Sequence, residues 1–280
     1  MTQPDPTSAR VLLARELRDL REAAGLDGPT VAERTGWSLQ KVYRSEDGTR
    51  TQKADEVDQL LDLYGASHEV AERIRATAAL ARRRSSYGKV ADWARQYVGL
   101  EREATSLAFH QEVLVPGLFQ TEAYARAVVS TSQVIAPADV PEVVAARMRR
   151  SDLLHRTNAP RVHLVLGEAA TRRKVGGAAV LDEQLAHLEE VAALPHVTVQ
   201  ILPDDVGAHA ALGTGFVLLT LKIGGQKSKW AYLEDLMRGE CRPDQSQVNV
   251  YQLTFDSLAV NALGESGTLQ LLAEARAKLR

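Results

Sequence analysis

VAERTGWSLQKVYRSEDGTR, residues 31–50, has the rhythm of two short helices joined by a tight glycine turn. Ala32, Gly36 and Val42 lie four and six residues apart, the spacing of a helix-turn-helix. A small residue is needed where the second helix crosses the first, and an apolar one pins the second helix down. The turn between them needs positive φ, which glycine adopts without steric penalty. Val31, Thr35 and Trp37 supply the other inward positions, and Ser38 suits the N-cap of the second helix. With Val42 turned inward, Gln40, Lys41, Tyr43 and Arg44 fall on the outer face or its edges. Gln and Arg can make bidentate hydrogen bonds to base edges in the major groove, while Lys and Tyr reach phosphates. The reading assigns Gln40 and Arg44 to bases, and Ser38, Lys41, Tyr43, Arg50 and Lys53 to phosphate contact or docking.

The flanks extend the pattern. Leu13, Leu17 and Leu20 form a helical stripe in residues 9–26 that ends at Gly25, and Val57, Leu60, Leu61 and Leu63 form another in 53–65 that ends at Gly65. A further helix through Ala71–Ala81 completes a five-helix unit of residues 1–84. ARRRSSYG (81–88) is a basic, polar joint, and the boundary is placed there.

The stretches LRDLREAAGL, VAERTGW and VYRSEDGTR resemble the XRE-type, lambda-repressor-like helix-turn-helix domain from Arg10 to Tyr64. That resemblance implies a homodimer on double-stranded DNA, reading two half-sites about one helical turn apart. Three positions depart from the family pattern. Asp27-Gly28-Pro29 replaces a DNA-contacting glutamine, although Asp27 can cap and Pro29 is tolerated in a first turn. Ser45 stands where an apolar residue pins the second helix, and Tyr43 replaces a smaller side chain.

Residues 89–160 read as mostly helical, with Trp93, Tyr97 and Leu100 at helical spacing. Residues 113–129 combine a short apolar strand, a Pro116-Gly117 turn and a helix opened by Thr121. Residues 139–156 read as an amphipathic helix with an arginine-rich outer face. Beyond them the period changes. Strands are expected at 162–168 and 197–203, separated by a helix at 180–194. A hairpin at 215–235 turns at Gly224-Gly225, and helices at 246–262 and 266–279 close the chain. The fold class is therefore α+β, an all-α helix-turn-helix domain followed by a mixed α/β domain with helical flanks, residues 85–280. The segments VPGLFQTEAYARA, VGGAAVLDEQLAHL, VTVQILPDDVGAHAALGTGFVLL and FDSLAVNAL resemble the C-terminal domain of unknown function of actinobacterial XRE regulators, the WhiJ-like group. This resemblance implies an antitoxin-like regulator with a small partner protein encoded nearby.

Composition excludes several classes. Hydrophobic residues make up 45% and charged residues 25%, the balance of a folded protein. The formal net charge is −2, and residues 1–90 hold 15 basic and 14 acidic side chains, which argues against indiscriminate nucleic-acid coating. No run approaches the roughly eighteen apolar residues of a membrane helix, and no leader pattern opens the chain. A cytoplasmic protein, nucleoid-associated when bound, is expected. The single cysteine, Cys241, rules out an internal disulfide.

No enzymatic motif stands out. Asp204-Asp205 with His209, joined by Glu168 and Glu234, is the best acid/base or metal constellation, but turn formation explains these residues equally well. His155, His163, His187 and His196 read as surface or helix-end residues. Val175-Gly176-Gly177 reads as a helix stop, and Gly264–Gly267 as a loop in which Ser266 caps the last helix. No catalytic residue, metal or cofactor is expected. The second domain is instead read as dimerising and binding a small-molecule effector or partner. Its expected surface is formed by Pro116, Phe119 and Tyr124 with Asp204, His209 and Phe216, where irregular segments meet strand ends.

Overall fold

The computed structural model describes residues 5–48, 50–83, 87–223 and 226–280. The chain divides into two compact units, Met1–Ser86 with Lys222–Gln226 and Tyr87–Leu221 with Lys227–Arg280. The turn expected at Gly224-Gly225, the joint residues 84–86 and the boundary placed there lie outside the described residues.

The first unit is α1 (Pro6–Ala23), α2 (Gly28–Thr35), α3 (Leu39–Glu46), α4 (Ala54–Leu63) and α5 (His68–Ala81). Local chemistry sets the ends of each. Asp27 caps α2 by accepting from the Thr30 N–H at 2.8 Å, with Pro29 in the first turn where its missing N–H costs nothing. Gly36 ends α2 at φ +71°, and the Trp37 N–H closes the turn onto the Ala32 carbonyl at 3.0 Å. Ser38 and Ser67 cap α3 and α5 in the same way as Asp27. Leu13, Leu17, Val31, Val42, Leu60 and Ile74 meet in one core, each almost wholly removed from water.

The second unit holds a six-stranded mixed sheet in the order β3-β2-β1-β4-β5-β6. Its strands are β1 (Ala104–Gln111), β2 (Arg161–Gly167), β3 (Val197–Leu202), β4 (Phe216–Ile223), β5 (Gln226–Glu234) and β6 (Gly239–Arg242). β1 runs parallel to β2, and β2 to β3, while β4 is antiparallel to β1 and β6 to β5. The helices are α6 (Arg95–Glu103), α7 (Glu122–Val129), α8 (Val140–Ser151), α9 (Ala178–Ala192), α10 (Gln245–Asn261) and α11 (Glu265–Ala277). Side chains alternate across the sheet. His110 and Val165 point to the face where Phe216, Phe255 and Leu258 pack, whereas Phe109 meets Phe119 edge-on at 5.3 Å on the other face. The fold class is α+β, as the sequence implies.

Several local expectations fail. Residues 104–111 form the strand next to both β2 and β4 rather than more helix, because α6 passes into β1 at Ala104 with no intervening loop. Residues 113–115 bend instead of forming a strand. Gly177 opens α9 as its N-cap rather than stopping a helix, and Gly264, not Ser266, caps α11. Cys241 lies on β6 opposite Tyr232.

The arginine-rich face of α8 also turns partly inward. Arg150 forks onto the buried Glu101 carboxylate at 2.7 and 2.8 Å, and Arg147 donates to Gln120 at 2.9 Å. The Tyr97 hydroxyl donates to the same Glu101, and its ring stacks on Tyr232 at 4.0 Å. Burial alone would lower the Arg150 pKa; the Glu101 charge and hydrogen bonds outweigh it and raise it.

Candidate nucleic-acid interface

The orientation of α3 is fixed at both ends. Val42 is buried against the core. At the C-terminal end Glu46, also buried, accepts a fork from Arg21 of α1 at 2.7 and 2.9 Å, and Arg18 donates to the Glu46 carbonyl at 2.9 Å. Breaking such a buried pair from one side typically costs about 3–5 kcal/mol, so this fork locks the helix in place. Ser45, the polar residue in an apolar position, is buried yet satisfied. Its hydroxyl donates to the Lys41 carbonyl at 2.9 Å, and its carbonyl accepts from the buried Gln52 amide at 2.9 Å.

With those contacts holding α3, Ser38, Gln40, Tyr43 and Arg44 are exposed. Among the described residues, the side chains of Gln40 and Arg44 have no partner. Gln40 and Arg44 are four apart and share a face of the helix. Tyr43 explains the glycine in Asp27-Gly28-Pro29, since a Cβ on Gly28 would sit 3.1 Å from the Tyr43 ring. The larger side chain of α3 thus occupies the space left open at the start of α2.

The expected phosphate contacts divide into two groups. Lys41 and Arg50 each reach Glu56 of α4 at 2.8 Å, and the Lys41 ammonium also lies 3.6 Å over the Trp37 ring. The other Glu56 oxygen accepts the Lys53 backbone N–H at 2.9 Å. Burial pushes the Glu56 carboxyl up, but Lys41, Arg50 and the Lys53 N–H together hold it down at about 2. Lys41 and Arg50 are therefore tied into the fold, a constraint their sequence positions do not reveal. Lys53 is exposed, and among the described residues its ammonium has no partner.

In the second unit the expected effector surface comes apart. Phe119, Tyr124 and Phe216 are core residues, essentially inaccessible to solvent. The Tyr124 hydroxyl accepts from the Val115 N–H at 3.3 Å, and Phe216 packs against His110, Tyr251 and Phe255. Pro116 is half-buried, and Asp204 is exposed and paired with Arg172, which also holds Glu168. Asp204 and Glu168 do converge, but through Arg172, which pairs with both, and through the Asp204 N–H, which donates to Glu168 at 3.0 Å. Glu234 accepts from the Tyr232 hydroxyl at 2.8 Å on β5 and does not join them.

His209 belongs to a different group, with His110 and Glu112, both overlooked in the sequence because β1 reads as helix there. His163 and His196 are likewise not free surface residues. His163 bonds Gln200 at 2.6 Å, and His196 lies 3.0 Å from the Leu154 carbonyl. Burial, then Glu240, pushes the Cys241 thiol up to about 12, so it stays protonated and unreactive at neutral pH.

The described residues of unit two also leave a cleft of about 340 Å³ beside Ala210, Thr214, Phe216, Arg242 and Tyr251. It lies between the segment leading into β4 and the α10 helix. Among the described residues, no helix is long and apolar enough to cross a membrane.

Comparison with known families matches residues 12–74 to a helix-turn-helix domain and residues 94–274 to a domain of unknown function, DUF5753. No curated protein and no solved structure matches the chain.

Proposed function

We propose that this chain, which belongs to the DUF5753 family and carries a helix-turn-helix DNA-binding domain ahead of it, is a sequence-specific transcription regulator of the XRE type. The observation that carries the reading is α3. Its inner face is locked by Val42, Ser45 and the Glu46–Arg21 fork, while Gln40 and Arg44 stand exposed with no side-chain partner among the described residues. Both side chains can pair bidentately with base edges in the major groove. Lys53 supplies phosphate contact at the start of α4, and Ser38 and Tyr43 complete the docking edge.

The second unit is read as the regulatory body, which dimerises the protein and takes an effector or partner. Supporting this is the cleft between the segment leading into β4 and α10, where apolar side chains such as Phe216 and Tyr251 stand beside the polar Thr214 and Arg242. A ligand there alters DNA affinity only by preferring one conformation or assembly over another.

The test is selection of bound fragments from the host's genomic DNA at about 150 mM salt, where nonspecific binding is weak. A Gln40→Ala/Arg44→Ala variant runs beside the wild type. Enrichment of a two-fold-symmetric site, lost in the variant, is the expected result. Equal enrichment by both proteins would remove α3 from base reading. No enrichment by the wild type alone, restored when a cell extract is added, would assign the operator to an effector- or partner-dependent state.

A further inference from the structure

His110, Glu112 and His209 come together at the C-terminal edge of β1, each offering one ligand atom, all within 4.8 Å of one another. They come from one strand end and one distant loop. His110 is fixed on β1 and wholly buried. Its Nδ1 lies 3.2 Å from the Val165 carbonyl of β2. A carbonyl can only accept, so Nδ1 carries the proton and Nε2 presents a bare lone pair. That Nε2 is buried and has no hydrogen-bond partner among the described residues. A buried acceptor with nothing to accept from calls for an explanation beyond packing.

Glu112 is placed by two glycines. A Cβ on Gly167, at the end of β2, would lie 2.6 Å from the Glu112 carbonyl oxygen, so only glycine admits this close approach. Gly213, at φ +79°, donates its N–H to Glu112 Oε1 at 2.9 Å and leaves Oε2 uncommitted by that bond. His209 sits on the same loop as Gly213, with Nε2 3.7 Å from Glu112 Oε1 and with a second buried nitrogen, Nδ1, that has no partner among the described residues.

We infer that His110, Glu112 and His209 form a binding site for a divalent transition metal of the zinc class. Two imidazoles and one carboxylate match the donor set of zinc sites with three protein ligands and one open position. The hard cations magnesium and calcium favour all-oxygen ligation, so this donor set selects against them. Zinc–ligand bonds of about 2.0–2.2 Å put ligand atoms roughly 3.4 Å apart in a tetrahedron. Closure requires shifts of about 1 Å, which the Glu112 rotamer and the loop around His209 can supply while His110 stays fixed. The Val165 carbonyl then acts as the outer partner that sets the His110 tautomer. The site stands independently of DNA reading by α3. Binding would staple residues 207–213 to the end of β1.

The test uses the purified full chain, stripped with a chelator and titrated with Zn²⁺ by calorimetry near neutral pH. One site per chain is expected in the wild type. His209→Ala and Glu112→Gln should each weaken it at least tenfold, Glu112→Gln while preserving the acceptor for Gly213. His187→Ala, a histidine on α9 outside the cluster, should leave it unchanged. Loading with Co²⁺ should give the visible absorption of a four-coordinate ion, lost in His209→Ala. A melting curve for each apo variant separates loss of ligation from loss of fold; these two variants are preferred because His110 is buried in the sheet. The assignment is overturned if the wild type binds no Zn²⁺ at 100 µM. It is equally overturned if well-folded His209→Ala and Glu112→Gln bind as the wild type does.

Discussion

Replacing Glu56 by glutamine should weaken the helix-turn-helix fold and at the same time strengthen its nonspecific hold on DNA. One Glu56 oxygen accepts from Lys41 and Arg50, each at 2.8 Å, and the other from the Lys53 N–H at 2.9 Å. These donors outweigh burial and hold the carboxyl at about 2 instead of 4.5. That drop corresponds to at most about 3.4 kcal/mol, at about 1.4 kcal/mol per pH unit. Lys41 and Arg50 are 27% and 30% exposed, so solvent screening reduces the figure to about 2 kcal/mol. The folded pKa lies below the unfolded one. The stabilisation is therefore complete above pH 4.5 and is lost as pH falls from 4.5 towards 2. Urea unfolding of wild type and Glu56→Gln should differ by about 2 kcal/mol at pH 7 and by less than about 1 kcal/mol at pH 3. Lys41, Arg50 and Glu56 together carry one net positive charge, and the variant carries two. The slope of log affinity against log salt on nonspecific DNA should steepen by about 0.9. A stability difference that is the same at both pH values, or an unchanged salt slope, would refute the reading of Glu56 as the group that holds these cations.

Three further outcomes are expected. Arg44→Ala should cost about 1–3 kcal/mol on the operator and relax its sequence preference, whereas Lys53→Ala should weaken all sequences alike and flatten the salt slope; competition binding against scrambled sites distinguishes them. Gly36→Ala meets no neighbour within 4 Å, so its cost is backbone strain alone at φ +71°, about 1–2 kcal/mol, read as a lower melting temperature of the first unit. Glu101→Gln leaves the Arg150 charge buried without its carboxylate and should cost about 3–5 kcal/mol in urea unfolding of the second unit. A loss under 1 kcal/mol would mean that Arg150 finds solvent instead.

What the sequence reveals depends on how local the cause is. The helix-turn-helix is legible because its signals lie within a few residues of their effects: Asp27 and Ser38 cap, Gly36 turns, and Val42 points inward and so sends Gln40 and Arg44 outward. β1 is missed because Ala104–Gln111 is poor in β-branched residues and follows α6 with no turn former between them. Its apolar residues Leu107, Ala108 and Phe109 run consecutively instead of alternating, and His110 puts a polar residue in the core. β6 is four residues long and presents no alternation to read. Phe119, Tyr124 and Phe216 look like surface aromatics among Gly and Pro, yet the strand ends they adjoin close over them. The grouping of His110 and Glu112 with His209 spans about a hundred residues and depends on β1 lying beside β4. Local periodicity carries no information about such a pairing.

The near-neutral charge of the DNA-binding unit follows from how its cations are used. Arg18 and Arg21 hold Glu46, Lys41 and Arg50 hold Glu56, Arg73 holds Glu16, and Arg75 bridges Asp58 and Glu72. These cations position the fold and contribute little net field. Affinity from counterion release scales with the phosphates neutralised, so a unit that spends its basic residues internally has a shallow salt dependence and weak nonspecific binding. On the proposed reading its discrimination comes mainly from base contacts through Gln40 and Arg44, at about 1–3 kcal/mol for each good bidentate pair. Two such pairs supply roughly 2–6 kcal/mol, which reaches only the lower part of the roughly 4–10 kcal/mol that separates specific from nonspecific binding in established regulators. A second copy on the opposite half-site doubles that discrimination. Under the proposed base-reading role of α3, selective binding is therefore expected to need two copies of the chain on one operator, measurable as the stoichiometry of the complex.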